Sequence, residues 1–229
     1  MMPADGQPWF HAAVQLLGLR SRDRVLVLGG GARETSALAR LVGSRGALTV
    51  VLDDRTAAEA LAAQAPEHVE VLAHRSDGSE RFGTFDAMLA APRFGPLPQP
   101  ATFAGLARHN LRPGGRCVVD VPAPEMLPEF GGAAADLGWP RAWLQPLRGL
   151  ADDELAAALR DAGLRDVHNL LATHLVHAAA PLELVDLFAD ALPIDAERRV
   201  ELAHALIRRR GSDGGLDALV HRTRAQAQR

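Results

Sequence analysis

Residues 24–31 read RVLVLGGG. A run that is apolar at consecutive positions does not fit a half-exposed strand, which would alternate. It reads as a strand buried on both faces, as in a parallel sheet covered by helices on each side. The glycines end the strand and feed the chain straight into a helix, Thr35–Val42, with Ala37, Leu38, Leu41 and Val42 on its inner face. The pattern then repeats. Ala47–Leu52 is a second buried strand, closed by Asp53 and Asp54, and Thr56–Gln64 is a helix. Val69–Leu72 and Phe85–Ala90 are the third and fourth strands, and Thr102–His109 is a helix. LRPGG is a tight turn into a fifth strand, Arg116–Val121. Strands and helices alternating through short turns predict an α/β fold with a mostly parallel sheet and helices on both faces.

The flanks complete the picture. Pro8–Leu19 is amphipathic, so residues 1–20 are expected to form an N-terminal helix. Residues 122–150 are rich in proline and glycine, hold Trp139 and Trp143, and show no period; they predict an irregular cap or connection. Asp152–Ala162 is a helix with Asp152 as its N-cap and Gly163 just past its end. Arg165–Ala172 is a strand, Pro181–Leu192 and Asp195–Arg210 are helices, and Leu216–Arg224 is a final, seventh strand. The 229 residues fit a single domain, 1–229.

Composition narrows the function classes. The chain has no tyrosine, and all 25 of its basic residues are arginine. A short-chain dehydrogenase also begins with a glycine-rich βαβ unit, but its chemistry needs a tyrosine acid beside a lysine, so that mechanism is closed to this chain. The net charge of −3 argues against broad nucleic-acid binding. No apolar run approaches the roughly 20 residues of a membrane span. The N-terminus lacks the basic cluster of a signal peptide, and Cys117 is the only cysteine, so a cytoplasmic location is expected. No Cys/His spacing suggests a metal site: His174 and His177 are three apart but fall on a strand or its edge.

Two constellations point to a ligand. The first is Gly29, Gly30 and Gly31. Glycine permits a turn with positive φ and leaves no side chain between backbone and ligand, and the N–H groups opening the next helix can meet polar groups. The same turn also occurs as mere structure. The second is Asp53 and Asp54, where a carboxylate can accept hydrogen bonds from both hydroxyls of an adenosine ribose. The alternative for each is a helix cap or a solvated turn, and for Asp54 the cap is the better reading.

The segments RVLVLGGG, GALTVVLDD, HVEVL, TFDAMLA and LRPGGRCVV follow one another in a set order, and LADDELAAALRDAGLRDV comes after them. Over residues 9–175 this succession resembles the class I S-adenosylmethionine-dependent methyltransferases. The resemblance implies a Rossmann-like, seven-stranded sheet and S-adenosylmethionine as cofactor, bound by Gly29–Gly31, by Asp53 or Asp54, and by the turn after the third strand, where Arg75 stands with His74 and Asp77 beside it. By strict spacing the family's ribose-binding acid falls at Leu52, or at Asp53 if the strand is one residue longer, and Arg75 stands where the family has an acid after the third strand. The chain departs from the family pattern in three further places. Val27 replaces an acid on the first strand, Arg33 replaces the third motif glycine, and APRFGPLPQP follows the fourth strand. Arg33 and Arg75 could instead recruit an anionic group to the helix N-terminus.

Trp9, Phe10, His11, Trp139 and Trp143 could line an acceptor pocket; ordinary core packing is the alternative, favoured for Phe10. His11, His109, His174 and His177 are candidate bases, each better read as structural, and no catalytic residue is assigned. Two functions remain: a methyltransferase acting on a small molecule, or a protein of that fold that has lost catalysis and serves as a partner subunit or binds another ligand. The two C-terminal helices, through Leu182, Val185, Leu187, Leu192, Val200, Leu206 and Ile207, could cover the protein's own sheet or a second copy in a homodimer.

Overall fold

The structure, a computed structural model, describes residues 8–91, 99–147, 149–189, 192–212 and 214–229. Most of the APRFGPLPQP segment lies outside them. The elements are α1 (Pro8–Leu17), β1 (Arg24–Leu28), α2 (Ala32–Val42), β2 (Ala47–Leu52), α3 (Arg55–Ala62), β3 (Val69–Ala73), β4 (Phe85–Ala90), α4 (Pro100–Asn110) and β5 (Leu111–Pro122). Then come α5 (Pro128–Asp136), a 3-10 helix (Arg141–Leu147), α6 (Asp152–Asp161), β6 (Arg165–Ala178), α7 (Pro181–Leu187), α8 (Ala196–Arg210) and β7 (Leu216–Gln228).

The seven strands form one sheet in the order β3-β2-β1-β4-β5-β7-β6. The β1–β2, β2–β3, β1–β4 and β4–β5 pairs are parallel, and β7 runs antiparallel to both β5 and β6. The chain therefore steps outward from β1 to β3, returns to β4 on the other side, and steps outward again. The point of reversal lies between β1 and β4. Open α/β sheets bind ligands there, outside the carboxyl ends of the strands, because helices leave in opposite directions and open a crevice.

Side-chain alternation builds two cores. Val25, Val27, Leu48, Val50, Leu89 and Val118 face one side, where Trp9, Phe10, Leu17, Leu38 and Val42 of α1 and α2 cover them. Leu26, Met88, Cys117, Val119 and Val121 face the other, beneath Phe103, Leu106, Leu155 and Leu159 of α4 and α6. This is why RVLVL reads as continuous: each successive residue enters a different core.

Several boundaries differ from the sequence expectation. Residues 122–150 are not irregular throughout, because they contain α5 and the 3-10 helix. Gly131 and Gly132 inside α5 hide its helical character in the sequence. The N-cap of α6 is Ala151, one residue before the expected Asp152. The LRPGG turn is embedded at the start of β5, where the pairing with β4 shifts register and Gly114 adopts φ +74°. β6 and β7 run on to Ala178 and Gln228, and α7 stops at Leu187. Val185, Leu192 and Leu206 are buried in the protein's own core, whereas Leu182 and Val200 are exposed.

The buried polar residues include an ionic cluster. Asp120 of β5 and Arg222 of β7 are fully buried, and Arg224 is 8% exposed. The Asp120 carboxylate accepts from Arg222 Nε at 2.7 Å and from Arg224 Nε at 2.5 Å. The cluster lies on the α1 side of the sheet. Arg222 sits 5.5 Å from the Trp9 ring centre, and Arg224 Nη2 donates to the Trp9 carbonyl at 3.4 Å. The N-terminal helix is thus fastened to β5 and β7 through buried charge.

Candidate functional site

The glycine turn stands at the carboxyl end of β1, at the reversal point. Gly29 and Gly30 have φ +79° and +104°, the left-handed region that glycine alone enters without strain. Gly29 N donates to Val51 O at 2.9 Å, which pins the turn to β2. A Cβ placed on Gly30 would meet only Glu34 Cβ, at 3.9 Å, so the backbone there borders open space. Arg33 is exposed and Val27 is buried in the core, so neither fills that space. Glu34, half-buried in the first turn of α2, reaches back so that its Oε2 accepts from Gly31 N at 3.2 Å.

At the end of β2 the two aspartates divide their roles. Asp54 is the N-cap of α3, accepting from Ala57 N at 2.6 Å. Asp53 is exposed, and its carboxylate has no partner among the described residues. We expect Asp54→Ala to cost about 1 kcal/mol, the usual loss of a helix cap. Asp53→Ala should stay within about 0.5 kcal/mol of the parent, as surface changes do. Urea denaturation midpoints of the two variants check both values.

The turn after β3 is organised around Glu80. Its carboxylate accepts from Asp77 N at 2.7 Å and Gly78 N at 2.9 Å, and faces His74 Nε2 at 3.0 Å. Partial burial pushes the Glu80 carboxyl up, but these donors together outweigh it and hold the group below the usual carboxylate range. Asp77 is held low by the hydroxyl and N–H of Ser79, both within 2.9 Å of Oδ1. Arg75 is exposed. The structure thus gives one Asp77 oxygen to the turn itself, while His74 packs edge-on against Phe82 at 5.5 Å.

The expected aromatic set separates into two groups. Trp9 and Phe10 are buried in the core against the sheet, with His11 half-buried and 6.1 Å from the Phe10 ring. Trp139 and Trp143 contact each other at 5.2 Å in the segment after β5, and Arg198 lies over Trp143 at 4.8 Å. Trp139 lines a cavity of about 380 Å³ with Met126, Leu127, Phe130, Leu144 and Leu147, and Arg141 also lines it. Sequence reasoning missed Glu34 and the Asp120–Arg222–Arg224 cluster. A helix-start glutamate three residues after Gly31 was the available signal for Glu34.

Among the histidines, His174 packs edge-on against Trp9 at 6.2 Å, and Arg224 Nη2 lies 3.3 Å from its Nε2. Burial, reinforced by Arg224 and Arg222 and only partly opposed by Asp120, holds its pKa below the ordinary histidine value. His177 points to the opposite side of the strand and pairs with Asp217 at 2.8 Å. Among the described residues no group of three or more His, Cys, Asp or Glu could hold a metal ion, and no helix is long and apolar enough to cross a membrane.

Cys117 is buried in β5, and desolvation pushes its thiol up to about 12. An aromatic disulfide reagent at pH 8 should leave the folded protein unmodified and react with the one thiol at once in denaturant. Rapid reaction of the folded form would contradict the buried placement.

The chain matches no family model and no curated protein. Solved structures do match. The YcgJ protein of Bacillus subtilis is 15% identical, with a TM-score of 0.60 over 96% of this chain and 98% of that one. A SAM-dependent O-methyltransferase from Thermotoga maritima is 15% identical, with a TM-score of 0.56 over 96% of this chain. This chain spans 64% of that protein's length. A geranyl diphosphate C-methyltransferase from Streptomyces coelicolor, solved with S-adenosyl-L-homocysteine, is 16% identical, with a TM-score of 0.54 over 96% of this chain and 77% of that one. The chain has the class I methyltransferase fold. In this fold Gly29–Gly31 follow β1, which borders the reversal point, and Asp53 follows the neighbouring strand β2.

Proposed function

We propose that this protein is an S-adenosylmethionine-dependent methyltransferase acting on a small molecule. The observation that carries the proposal is the bare backbone of Gly30, which borders open space one strand away from the Asp53 carboxylate, itself without a partner among the described residues. A nucleoside needs such a pair: backbone it can approach closely, and an acid that can accept from both ribose hydroxyls. The residues present therefore fit the adenosyl cofactor, with Gly29–Gly31 and Asp53 as its holders and His74, Arg75 and Asp77 at the base end.

When bound, the cofactor supplies an activated methyl carbon, so the protein's main task is to bring an acceptor into line. The cavity walled by Met126, Phe130, Trp139, Leu144 and Leu147 supports a small, largely apolar acceptor, since its volume of about 380 Å³ falls in the range of small-molecule pockets. Val27 favours a second reading, binding without transfer, because the acid usual at that position would help orient the cofactor.

Calorimetric titration with S-adenosylmethionine and S-adenosylhomocysteine tests the proposal. Saturable binding of both supports it, and methyl transfer to any acceptor then excludes the second reading. No heat and no thermal shift at millimolar cofactor would overturn the cofactor assignment.

A further inference from the structure

We infer that Glu34 is the anchor for the cofactor's α-ammonium group, replacing the acid that Val27 does not supply; the inference rests on the cofactor reading above. Val27 is 4% exposed and sits among aliphatic side chains, so β1 offers no carboxylate to the crevice. Glu34 offers one from the opposite side of the glycine turn. It stands on the first turn of α2, its Cβ is the nearest atom to a Cβ placed on Gly30, and its Oε2 lies 3.1 Å from one placed on Gly31. The carboxylate is therefore held at the Gly31 end of the turn, beside the open space at Gly30. Oε2 is oriented by the Gly31 N–H, and Oε1 has no hydrogen-bond partner among the described residues.

The chemistry of the ligand matches this arrangement. The amino-acid end of the cofactor carries an ammonium and a carboxylate, and the ammonium needs an anionic acceptor once it leaves water. A hydrogen bond between charged partners contributes more than a neutral one. The other acids near the crevice are placed for different work: Asp54 caps α3, Asp77 is engaged by Ser79, and Asp53 stands at the end of the neighbouring strand. A purely structural role, as the returning half of a capping box, would use Oε2 alone and would be indifferent to the ligand's amine.

The test compares wild type with Glu34→Gln, whose side chain can still accept from Gly31 N–H but carries no charge. Three ligands are titrated calorimetrically: S-adenosylhomocysteine, its analogue without the α-amino group, and 5′-methylthioadenosine, which lacks the amino-acid end. Wild type is expected to prefer the amine-bearing compound by about tenfold or more. Glu34→Gln is expected to abolish that preference and to bind 5′-methylthioadenosine as wild type does. A preference that survives in Glu34→Gln overturns the inference while leaving the cofactor reading intact. Failure of wild type to bind any of the three overturns the cofactor reading and the inference with it. Thermal melts confirm that the variant is folded, and Glu34→Ala is the second variant, with the same expectation, if it is not.

Discussion

Asp120→Asn is expected to destabilise the protein by about 3–5 kcal/mol, the usual effect of removing one partner from a buried ion pair. The Asp120 carboxylate bridges Arg222 and Arg224, and it is wholly removed from water. Its neutral isostere keeps the shape and one acceptor oxygen but removes the charge that both guanidinium groups share in the low-dielectric interior. The face of Trp9 and the carbonyls of Trp9 and Asp120 soften the penalty without cancelling it. Urea denaturation should show a large fall in midpoint at unchanged slope. A loss below about 1 kcal/mol would mean that the two arginines are satisfied without the carboxylate.

The second large effect concerns binding. Gly30→Val should remove measurable affinity for S-adenosylhomocysteine while costing only about 1–3 kcal/mol of stability, the usual price of a non-glycine residue in a sparsely populated conformation. The two consequences have separate causes. The strain comes from φ +104°, which a β-branched side chain tolerates poorly. The binding loss comes from the isopropyl group entering space that the protein itself leaves empty, since a Cβ at Gly30 meets no protein atom closer than 3.9 Å. Gly31 provides the contrast. Its φ of −113° suits any residue, and an added Cβ meets only the movable end of Glu34. Gly31→Ala should therefore be milder in both respects. Calorimetry paired with thermal unfolding resolves the two effects. Binding by Gly30→Val within threefold of wild type would show that the ligand does not approach this backbone.

The parallel half of the sheet is legible because each strand is short, doubly buried and closed by its own turn signal. β1, β2 and β4 fall on the residues that the apolar runs mark. Legibility fails where the cause is tertiary. α5 holds two glycines and is helical because Phe130, Ala133 and Ala134 are buried and Arg209 of α8 ion-pairs with Asp136. β6 looks polar for much of its length, with His168, Asn169, Thr173, His174 and His177, because it is an edge strand whose pairing with β7 comes from a distant part of the chain. In the candidate site, the sequence reveals the glycine turn and the aspartate pair, since local backbone chemistry dictates both. It does not reveal which aspartate is committed to a cap. Nor does it show that Arg33 turns to solvent, or that Arg222 and Arg224 turn inward, because side-chain direction is settled only by what surrounds it.

The position of β7 has a consequence for how the molecule is made. It is the last strand in the chain, yet it lies between β5 and β6. As synthesis proceeds from the N-terminus, five strands can assemble in turn, but β6 has no neighbour to join until residues 216–228 have emerged. Until then the rim of β5 is an open template, and Asp120 waits there without its arginines. Placing β7 in the sheet is thus an insertion rather than an addition: one strand fills the gap between β5 and β6 and brings both guanidinium groups to the carboxylate.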